Sequence, residues 1–354
     1  MRTLAALAAC ALVGCGPSLP PLPTPPPPAL VASVAPPDPA PDARPQALPD
    51  PLQLQPKPRP PPTPPPPPPP PFPPPAFRAP GEHAARPGDG TWAAMVPDPV
   101  GGPALLYRTT VHPDRTKPQA VVTLVAVDLG RVAMRLVAGT LEPIAPAVPP
   151  GHRTGLIPAA DWPDLLAVMN GGFMTRHGGW GMWIAGESFL PPHDDGCTVA
   201  LYAETVQIRT YSQLAGSLGK VLAFRQTPPC LVEQGSVHPS LLGEDKPRRW
   251  GLSETGGVDI RRSAVGLADG GRTLFYGLGE AITPRALAEA MLAAGAVDAA
   301  ELDVNWSYTR FLLYAGSTAA PQVTSTLIPE IKHAQGEYVS RPAERDFFYL
   351  ARRR

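Results

Sequence analysis

The 354-residue sequence predicts an α+β domain of mostly antiparallel sheet with a few packed helices, preceded by a disordered proline-rich tract. Short β-branched and apolar runs recur between glycine-rich turns, whereas helical stretches are few and do not alternate with them. The prolines concentrate in the first quarter of the chain, where large apolar side chains are scarce. These observations divide the chain into residues 1–15, a spacer at 16–88 and a folded domain at 89–354.

Residues 1–15 carry the pattern of an export signal. Arg2 precedes an apolar run, Leu4 to Val13, which is too short to span a bilayer as a stable anchor. The run ends in Leu-Val-Gly-Cys, which resembles a bacterial lipobox with Cys15 as the lipidated mature N-terminus. We therefore expect an exported protein, anchored by lipid to the bacterial cell envelope. The alternative is a plain secretory signal without lipid.

The spacer contains an unbroken run of eight prolines, Pro64 to Pro71. Proline cannot donate to a helix or a sheet, so we expect a semi-rigid polyproline II segment. At ~3.1 Å per residue, roughly 70 residues reach on the order of 200 Å when straight. This length suits a tether that holds the domain away from the membrane. The tract can equally serve as a ligand for a proline-binding partner.

Charge and cysteine content exclude several functions. The 30 basic and 30 acidic residues balance and form no basic stripe, which argues against a nucleic-acid partner. No Cys/His spacing of the zinc type occurs, and no metal ligands or cofactor are predicted, although the sequence leaves open whether a metal is required. Cys197 and Cys230 remain after the signal and the lipidation site. In an oxidising envelope such a pair can form a disulfide, but the sequence leaves open whether it does. The oligomeric state is not predicted.

The strand pattern recurs along the whole domain. We expect a hairpin within 121–137 around Gly130-Arg131, a buried strand at 165–169, and hairpins at 182–190, 198–211 and 263–278, with a strand near Ala300 and a closing strand at 346–351. One helix is predicted after Thr283, a good N-cap, with Pro284 at the first helical position. Leu287 and Met291 share its apolar face, and Gly295 ends it.

Two stretches combine a strand with polar groups suited to ligand binding. The strand predicted at 165–169 runs into Asn170-Gly171-Gly172, where glycine permits a sharp turn and close approach of a ligand. Arg262-Ser263 opens another strand, and a guanidinium fits a phosphate or carboxylate. Taken singly, each is more simply a turn asparagine or a solvated arginine.

A third stretch, Glu301-x-Asp303-x-Asn305, places polar groups at every second position. On one strand these side chains share a face, with Cα atoms two residues apart separated by ~6.6 Å. Two carboxylates at this spacing can divide into one acid and one base, as glycosidic cleavage commonly requires. The alternative is an ordinary polar outer face.

The order of four segments resembles the phosphodiester glycosidase family. These segments are MNGGFM, GMWIAGESF, RRSAVGLADGGRTLFYGL and TPRALAEAMLAAGAVDAAELD, and the resemblance covers roughly 121 to 314. It implies that Asn170, Gly171 and Gly172 match the family's first motif. It also implies that Arg262, Ser263 and Gly266 match a second motif whose arginine meets the phosphate, and that Asp303 and Ser307 match the last.

The last motif departs from the family's pattern. Val304, Asn305 and Trp306 stand where the family has three glycines, and Tyr308 replaces a serine. The family's glycines can bring backbone N–H groups against a ligand, whereas a β-branched residue and an indole crowd that path. Either another substrate is accepted, with Trp306 stacked on a sugar ring, or catalysis has been lost.

The resemblance and the predicted export to the cell envelope together imply a hydrolase that cleaves a sugar 1-phosphodiester or a related envelope glycan. Asp303 is the expected catalytic carboxylate and Glu301 its partner. The expected substrate contacts are Asn170, Gly171, Gly172, Arg262, Ser263, Asn305, Trp306 and Ser307. The alternatives are a catalytically inactive glycan-binding module on a long proline spacer and a structural tether whose proline tract does the work.

Other polar and aromatic residues are weaker candidates. His193-Asp194-Asp195 could hold a metal or supply a base, but three adjacent residues close poorly around one ion. His177 lies in a glycine-rich loop that could cover a site. Trp180 and Trp183 are equally explained as sugar platforms and as core residues.

Overall fold

The structure is a computed structural model that describes residues 71–81, 84–243, 248–253, 255–317 and 319–354. The predicted signal segment, the lipidation site at Cys15 and the spacer up to residue 70 lie outside the described residues. The described residues comprise the end of the predicted spacer and the domain that follows it.

The described residues form eighteen strands. In chain order these are β1 (Ala93–Val96), β2 (Leu106–Val111), β3 (Val122–Asp128), β4 (Val132–Val137), β5 (Leu165–Asn170), β6 (Met182–Ile184), β7 (Glu187–Leu190), β8 (Cys197–Leu201), β9 (Val206–Thr210), β10 (Ala223–Thr227), β11 (Val232–Glu233), β12 (Ser236–Val237), β13 (Ile260–Ala268), β14 (Thr273–Ile282), β15 (Ala296–Glu301), β16 (Phe311–Tyr314), β17 (Val323–Thr326) and β18 (Phe347–Arg352).

The strands form three sheets in which all neighbouring strands are antiparallel. The largest has eight strands in the order β1-β2-β3-β14-β13-β15-β11-β12. Two five-stranded sheets have the orders β7-β6-β10-β8-β9 and β17-β16-β5-β18-β4. The prediction of mostly antiparallel sheet is therefore confirmed.

Helices are few and short. They are α1 (Tyr211–Leu214) and α2 (Pro284–Ala293), with 3-10 turns at Pro150–His152, Ala159–Asp164, Ala215–Lys220, Pro239–Leu241 and Arg248–Trp250. The predicted helix is confirmed as α2, whose N-cap Thr283 accepts a hydrogen bond from the backbone N–H of Ala286 at 3.1 Å. With so little helix in the described part, the fold stands between α+β and mostly β. None of its helices is long and apolar enough to cross a membrane.

One predicted hairpin is wrong and three are confirmed. The strands β6–β7, β8–β9 and β13–β14 pair as expected. In contrast, β3 and β4 are separated by a short turn but belong to different sheets. All seven residues of β3 are buried, and its two edges are already paired with β2 and β14, so no edge is left for β4. The chain passes into the second sheet, where β4 pairs with β18.

Alternating side chains of the eight-stranded sheet build two cores. One face, including Leu124 and Phe275, packs against Leu287 and Met291 of α2. The opposite face, including Val125, forms a second core with both five-stranded sheets. Loops at one end of this layered structure carry the polar motifs.

The end of the predicted spacer takes part in the packed domain. Phe72 and Phe77 are partly buried against the helix-side core. Phe72 contacts Tyr107 edge to face, and Trp92 stacks on Phe275 with ring centroids 6.0 Å apart. Aromatic residues among the last prolines supply the apolar area that the preceding tract lacks.

Candidate active site

A cleft of about 920 Å³ lies where the motif-bearing loops meet. Its walls come from residues 174, 176 and 177 after β5, from 252, 253, 255 and 259–261 around the start of β13, from 280–281 at the end of β14, from 303–307 after β15, and from Arg345 just before β18. Segments far apart in sequence therefore converge on one concave surface. Clefts of this size are typical ligand sites.

Asp303 is the acidic residue most firmly fixed in this cleft. Its side chain is 5 % exposed. The Oδ1 atom accepts a hydrogen bond from the backbone N–H of Val304 at 2.8 Å, and Oδ2 forms an ion pair with Arg345. Both interactions favour the ionised carboxylate.

The main chain of Asp303 is held by the sequence motifs themselves. Its N–H donates to the Gly171 carbonyl at 3.0 Å. Its carbonyl accepts hydrogen bonds from the hydroxyls of Ser263 at 3.1 Å and Thr309 at 3.2 Å, and from the Asn170 amide at 3.4 Å. Four hydrogen bonds to the backbone of one residue leave the acid little freedom to move.

Asn170 and Ser263 are positioning residues in this arrangement. Both are fully buried and neither lines the cleft. The Asn170 Oδ1 atom accepts from the Tyr276 hydroxyl at 3.0 Å and from the backbone N–H of Arg310 at 3.2 Å. Burial raises the pKa of Tyr276, which keeps its hydroxyl protonated and able to donate. The expected direct substrate contacts at Asn170 and Ser263 are thus not supported.

Gly171 and Gly172 are required by a buried ion pair. Arg225 Nε lies 2.9 Å from Asp346 Oδ2, and both side chains are almost fully buried. The same carboxylate oxygen accepts from the Gly172 N–H at 2.9 Å. A Cβ on Gly172 would lie 2.6 Å from the guanidinium carbon of Arg225, and one on Gly171 would collide with Asp346. The glycines thus permit close approach of protein groups, where the sequence had suggested a ligand.

Arg262 is a structural residue, which contradicts the expected phosphate contact. Its side chain is fully buried, and its guanidinium donates all five of its N–H groups to protein acceptors. One acceptor is Glu301 Oε1 at 2.8 Å, and the others are the carbonyls of Ile282, Trp250, Gly251 and Val258. No N–H group of Arg262 is left for a phosphate.

Glu301 is equally unable to act as the catalytic partner. Strand β15 ends at Glu301, so Asp303 and Asn305 follow it in a loop and the predicted common face does not form. The Glu301 side chain is fully buried beside Arg262, and its Oε2 atom has no hydrogen-bond partner within the described residues. Burial raises the pKa of Glu301 to about 7, although the charge of Arg262 opposes this shift.

Arg261, the residue before Arg262, lines the cleft instead. Successive residues of a strand point to opposite faces, so the two arginines have different surroundings. Arg261 donates to the carbonyl of Trp306 at 3.2 Å and forms an ion pair with Glu280, whose side chain is 44 % exposed. Of the Arg-Arg pair, Arg261 rather than the predicted Arg262 faces the cleft, together with Glu280, which no sequence pattern indicated.

Arg345 is a second cation in the cleft that sequence analysis missed. Its guanidinium carbon lies 3.9 Å from the centroid of the Tyr308 ring, in a cation–π arrangement, while it pairs with Asp303. Burial lowers the pKa of Arg345 to about 10, so it remains charged at neutral pH. A signal was present, because Arg345-Asp346 stands directly before the largely apolar strand β18 and charges in that position need partners.

The loop from Val304 to Ser307 forms part of the cleft wall. Val304 is buried with Phe173, Trp180 and Ile260. Asn305 adopts φ of +77°, a left-handed conformation that asparagine tolerates better than most residues. Trp306 is 74 % exposed, and Ser307 is also exposed on the cleft wall. The loop therefore makes a turn that places an aromatic ring at the rim of the cleft.

The glycine-rich loop after β5 contributes to the mouth of the cleft. Arg176 and His177 are exposed there. Partial burial and the nearby charges of Arg176 and Arg345 lower the pKa of His177, so this imidazole is neutral at pH 7. Arg176 is therefore the charged group that this loop contributes to the cleft.

The remaining candidates are structural. Trp180 is buried and its carbonyl accepts from Arg225 at 2.7 Å, while Trp183 stacks on Phe224 at 6.4 Å. Asp195 pairs with Arg249. No group of three or more His, Cys, Asp or Glu side chains within the described ranges is arranged to hold a metal ion.

Cys197 and Cys230 form a disulfide bond. Both residues are buried, and Cys197 starts β8 while Cys230 lies just before β11. The bond therefore connects a five-stranded sheet to the eight-stranded sheet across their shared core.

The chain shares only distant similarity with proteins of known structure. No profile of a known family matches it, and no curated protein sequence matches it significantly. The catalytic domain of zebrafish N-acetylglucosamine-1-phosphodiester alpha-N-acetylglucosaminidase, auto-inhibited by its pro-peptide, has 15 % identity and a TM-score of 0.44, with 74 % of this chain and 88 % of that one covered.

Two further solved structures are more remote. A hypothetical protein from Synechocystis has 14 % identity and a TM-score of 0.36, over 70 % of this chain and 62 % of that one. An exported protein from Burkholderia pseudomallei has 10 % identity and a TM-score of 0.28, over 66 % and 74 %. These TM-scores are too low to support a functional assignment, which therefore depends on the cleft and the sequence motifs.

Proposed function

We propose that the domain hydrolyses a sugar 1-phosphodiester or a related glycan, with Asp303 as the reacting carboxylate. One observation carries the proposal. Asp303, fixed by four main-chain hydrogen bonds, shares a cleft with the guanidinium groups of Arg261 and Arg345 and with the exposed indole of Trp306. An acid can react at the sugar, two cations can bind the phosphate, and an aromatic ring can stack on the sugar, so this set of groups suits a phosphorylated sugar.

The arginines are suited to the phosphate. A guanidinium binds phosphate oxygens through two parallel N–H groups, and it stabilises charge that develops on a leaving phosphate. Arg261 replaces Arg262 in this role because only Arg261 lines the cleft. Arg345 would exchange part of its contact with Asp303 for the substrate.

Glu280 is the second carboxylate of the proposed reaction. Glycosidic cleavage commonly uses two carboxyl groups, one to attack the sugar or activate water and one to protonate the leaving oxygen. Glu280 lines the same cleft as Asp303 and is half exposed, so it can reach a substrate that Glu301 cannot. Its ion pair with Arg261 links the proposed acid to the proposed phosphate contact.

We infer an envelope substrate from the lipobox-like sequence that ends at Cys15. A lipidated Cys15 followed by the proline spacer would hold the cleft at a distance from the membrane surface. We expect Cys15→Ser to move the protein from the membrane fraction to the soluble fraction of cells. Unchanged membrane association would contradict lipid anchoring without affecting the assignment of the cleft.

The activity is tested with purified full-length protein and N-acetylglucosamine phosphodiesters or native envelope glycans. We expect release of the free sugar, loss of this release in Asp303→Asn, and weaker substrate binding in Arg261→Gln. Arg285→Gln is a matched control, because Arg285 is an exposed arginine on α2, paired with Glu289. Turnover that survives the Asp303 and Arg261 substitutions as well as the control substitution would refute the assignment.

A catalytically inactive glycan-binding module is the second candidate. It is favoured by the state of Asp303, whose two oxygens are both engaged, one by Val304 and one by Arg345. Binding of glycans without turnover, in a protein that binds equally well with Asp303→Asn, would identify such a module.

A further inference from the structure

The indole of Trp306 extends into solvent from a rigid backbone. Arg261 fixes the loop on both sides of the ring, because its carbonyl accepts from the Asn305 N–H at 2.8 Å and its guanidinium donates to the Trp306 carbonyl at 3.2 Å. Among the exposed large apolar side chains of the described residues, Trp306 is the one aromatic. A solvent-facing ring on a fixed backbone offers a flat apolar surface, and a ligand that stacks on it immobilises only the two side-chain torsions of the tryptophan.

Two cavities meet at Trp306. The main cleft of about 920 Å³ and a small hollow of about 80 Å³ are both lined by Arg261, Trp306 and Ser307. The main cleft alone lies near the upper end of the ~300–1,000 Å³ range of ligand sites. The concave surface therefore continues beyond the indole, away from Asp303.

The small hollow has the character of a sugar subsite. Ile331 provides a buried apolar wall, and Lys332 is exposed beside it. Lys332 has no ion-pair partner among the residues that the structure describes. Arg310 and Glu330 also line the hollow, so an apolar wall stands beside charged groups of both signs, an arrangement that suits a sugar ring whose hydroxyls donate and accept hydrogen bonds.

We propose that the cleft binds a chain of sugars, with one unit at Asp303 and the next across Trp306 beside Lys332. This inference rests on the proposed function, because it concerns the substrate of the same cleft. A ligand that spans both cavities gains stacking and polar contacts that a single sugar cannot make.

The test compares ligands of different length on full-length protein carrying Asp303→Asn, so that the ligands are not consumed. Calorimetry would measure the Kd of the methyl diester of N-acetylglucosamine 1-phosphate. It would also measure the Kd of two longer ligands, in which the same methyl phosphodiester is carried by a disaccharide or by a tetrasaccharide. We expect the Kd to fall at least about tenfold with length, equivalent to about 1.4 kcal/mol. Trp306→Ala should abolish this gain and Trp306→Phe should keep most of it.

Leu222→Ala is the control, because Leu222 is 51 % exposed and lies outside both cavities. Thermal denaturation verifies that each variant is folded, as expected for substitution of an exposed ring. Binding of the single-sugar diester without any gain from length, or a gain that persists in Trp306→Ala, would overturn the inference and leave the proposed function intact. Failure of every ligand to bind would overturn both.

Discussion

The Ser263 hydroxyl donates a hydrogen bond to the main-chain carbonyl of Asp303 at 3.1 Å. The serine lies in the middle of the eight-stranded sheet and the aspartate in the loop after a neighbouring strand, so the contact joins two of the sequence motifs. It explains why the segment with Arg262-Ser263 and the segment with Glu301 and Asp303 lie close together in the fold, although they are far apart in sequence. The serine fixes the acid, while the cleft is lined by other residues.

Substitution of Ser263 by alanine tests this positioning role. Loss of one buried hydrogen bond should lower the free energy of unfolding by about 1–3 kcal/mol, since the Asn170 amide also loses a partner. A displaced Asp303 should lower kcat on the order of tenfold to a hundredfold, with KM little changed. Ser188→Ala, at an exposed serine of β7, should change neither quantity. A rise in KM alone would indicate that Ser263 contacts the substrate.

Arg261 and Arg262 should respond in opposite ways to substitution. Arg262→Met leaves Glu301 buried without its partner and should lower the free energy of unfolding by about 3–5 kcal/mol. Arg261→Gln should cost less stability than Arg262→Met, because its partner Glu280 is 44 % exposed and stays solvated. It should weaken phosphodiester binding by roughly tenfold or more, because a charge-assisted hydrogen bond is worth about 1.5–3 kcal/mol. Urea denaturation and calorimetric titration measure the two effects.

The double variant Arg262→Met/Glu301→Leu provides a further check on the buried pair. Replacing both charges by apolar side chains removes the uncompensated charge, so the double variant should be more stable than Arg262→Met alone. Equal stability of the two variants would mean that Glu301 does not carry the cost of losing Arg262.

The raised pKa of Glu301 predicts a dependence of stability on pH. With a folded pKa of about 7 against an ordinary value of 4.5, the folded protein keeps a proton that the unfolded chain has lost between these values. The stabilisation is therefore complete below pH 4.5 and is lost as the pH rises through 7. The unfolding free energy of the wild type, relative to Glu301→Gln, should fall between pH 5 and 8. A flat or rising difference would show that the pKa of Glu301 is not raised.

The disulfide should contribute measurably to stability. Cys197 and Cys230 are separated by 33 positions, and closing a loop of this length typically stabilises a fold by about 2–4 kcal/mol. Cys197→Ala/Cys230→Ala should lower the free energy of unfolding by this amount while leaving the cleft intact. Equal stability of wild type and variant under oxidising conditions would contradict a structural role.

Patterns local in sequence predicted much of the fold. The α2 helix was visible from Thr283, Pro284 and Gly295, because caps act within a few residues. The β6–β7 hairpin was visible from the turn at Gly186. The separation of β3 from β4 was not, because it depends on which edges are already occupied by β2 and β14, strands distant in sequence.

The site was predictable only in part, because it too depends on contacts between segments that are distant in sequence. The motifs located Asp303 and the loops around it, but whether a polar side chain faces the cleft or the interior depends on its face of the strand. Arg261 and Arg262 differ in this respect by one position. Arg345 and Glu280 carry no motif of their own, and only the packing of β18 and β14 brings them to Asp303.

Hydrolysis by the purified full-length protein measures the central claim directly. The assay follows release of N-acetylglucosamine from its phosphodiesters, and of sugars from native envelope glycans, by wild type and by Asp303→Asn. We predict turnover by the wild type and a loss of at least about a thousandfold in kcat for the variant, with binding retained. Turnover that Asp303→Asn leaves unchanged, or glycan binding without turnover by the wild type, would contradict a catalytic Asp303.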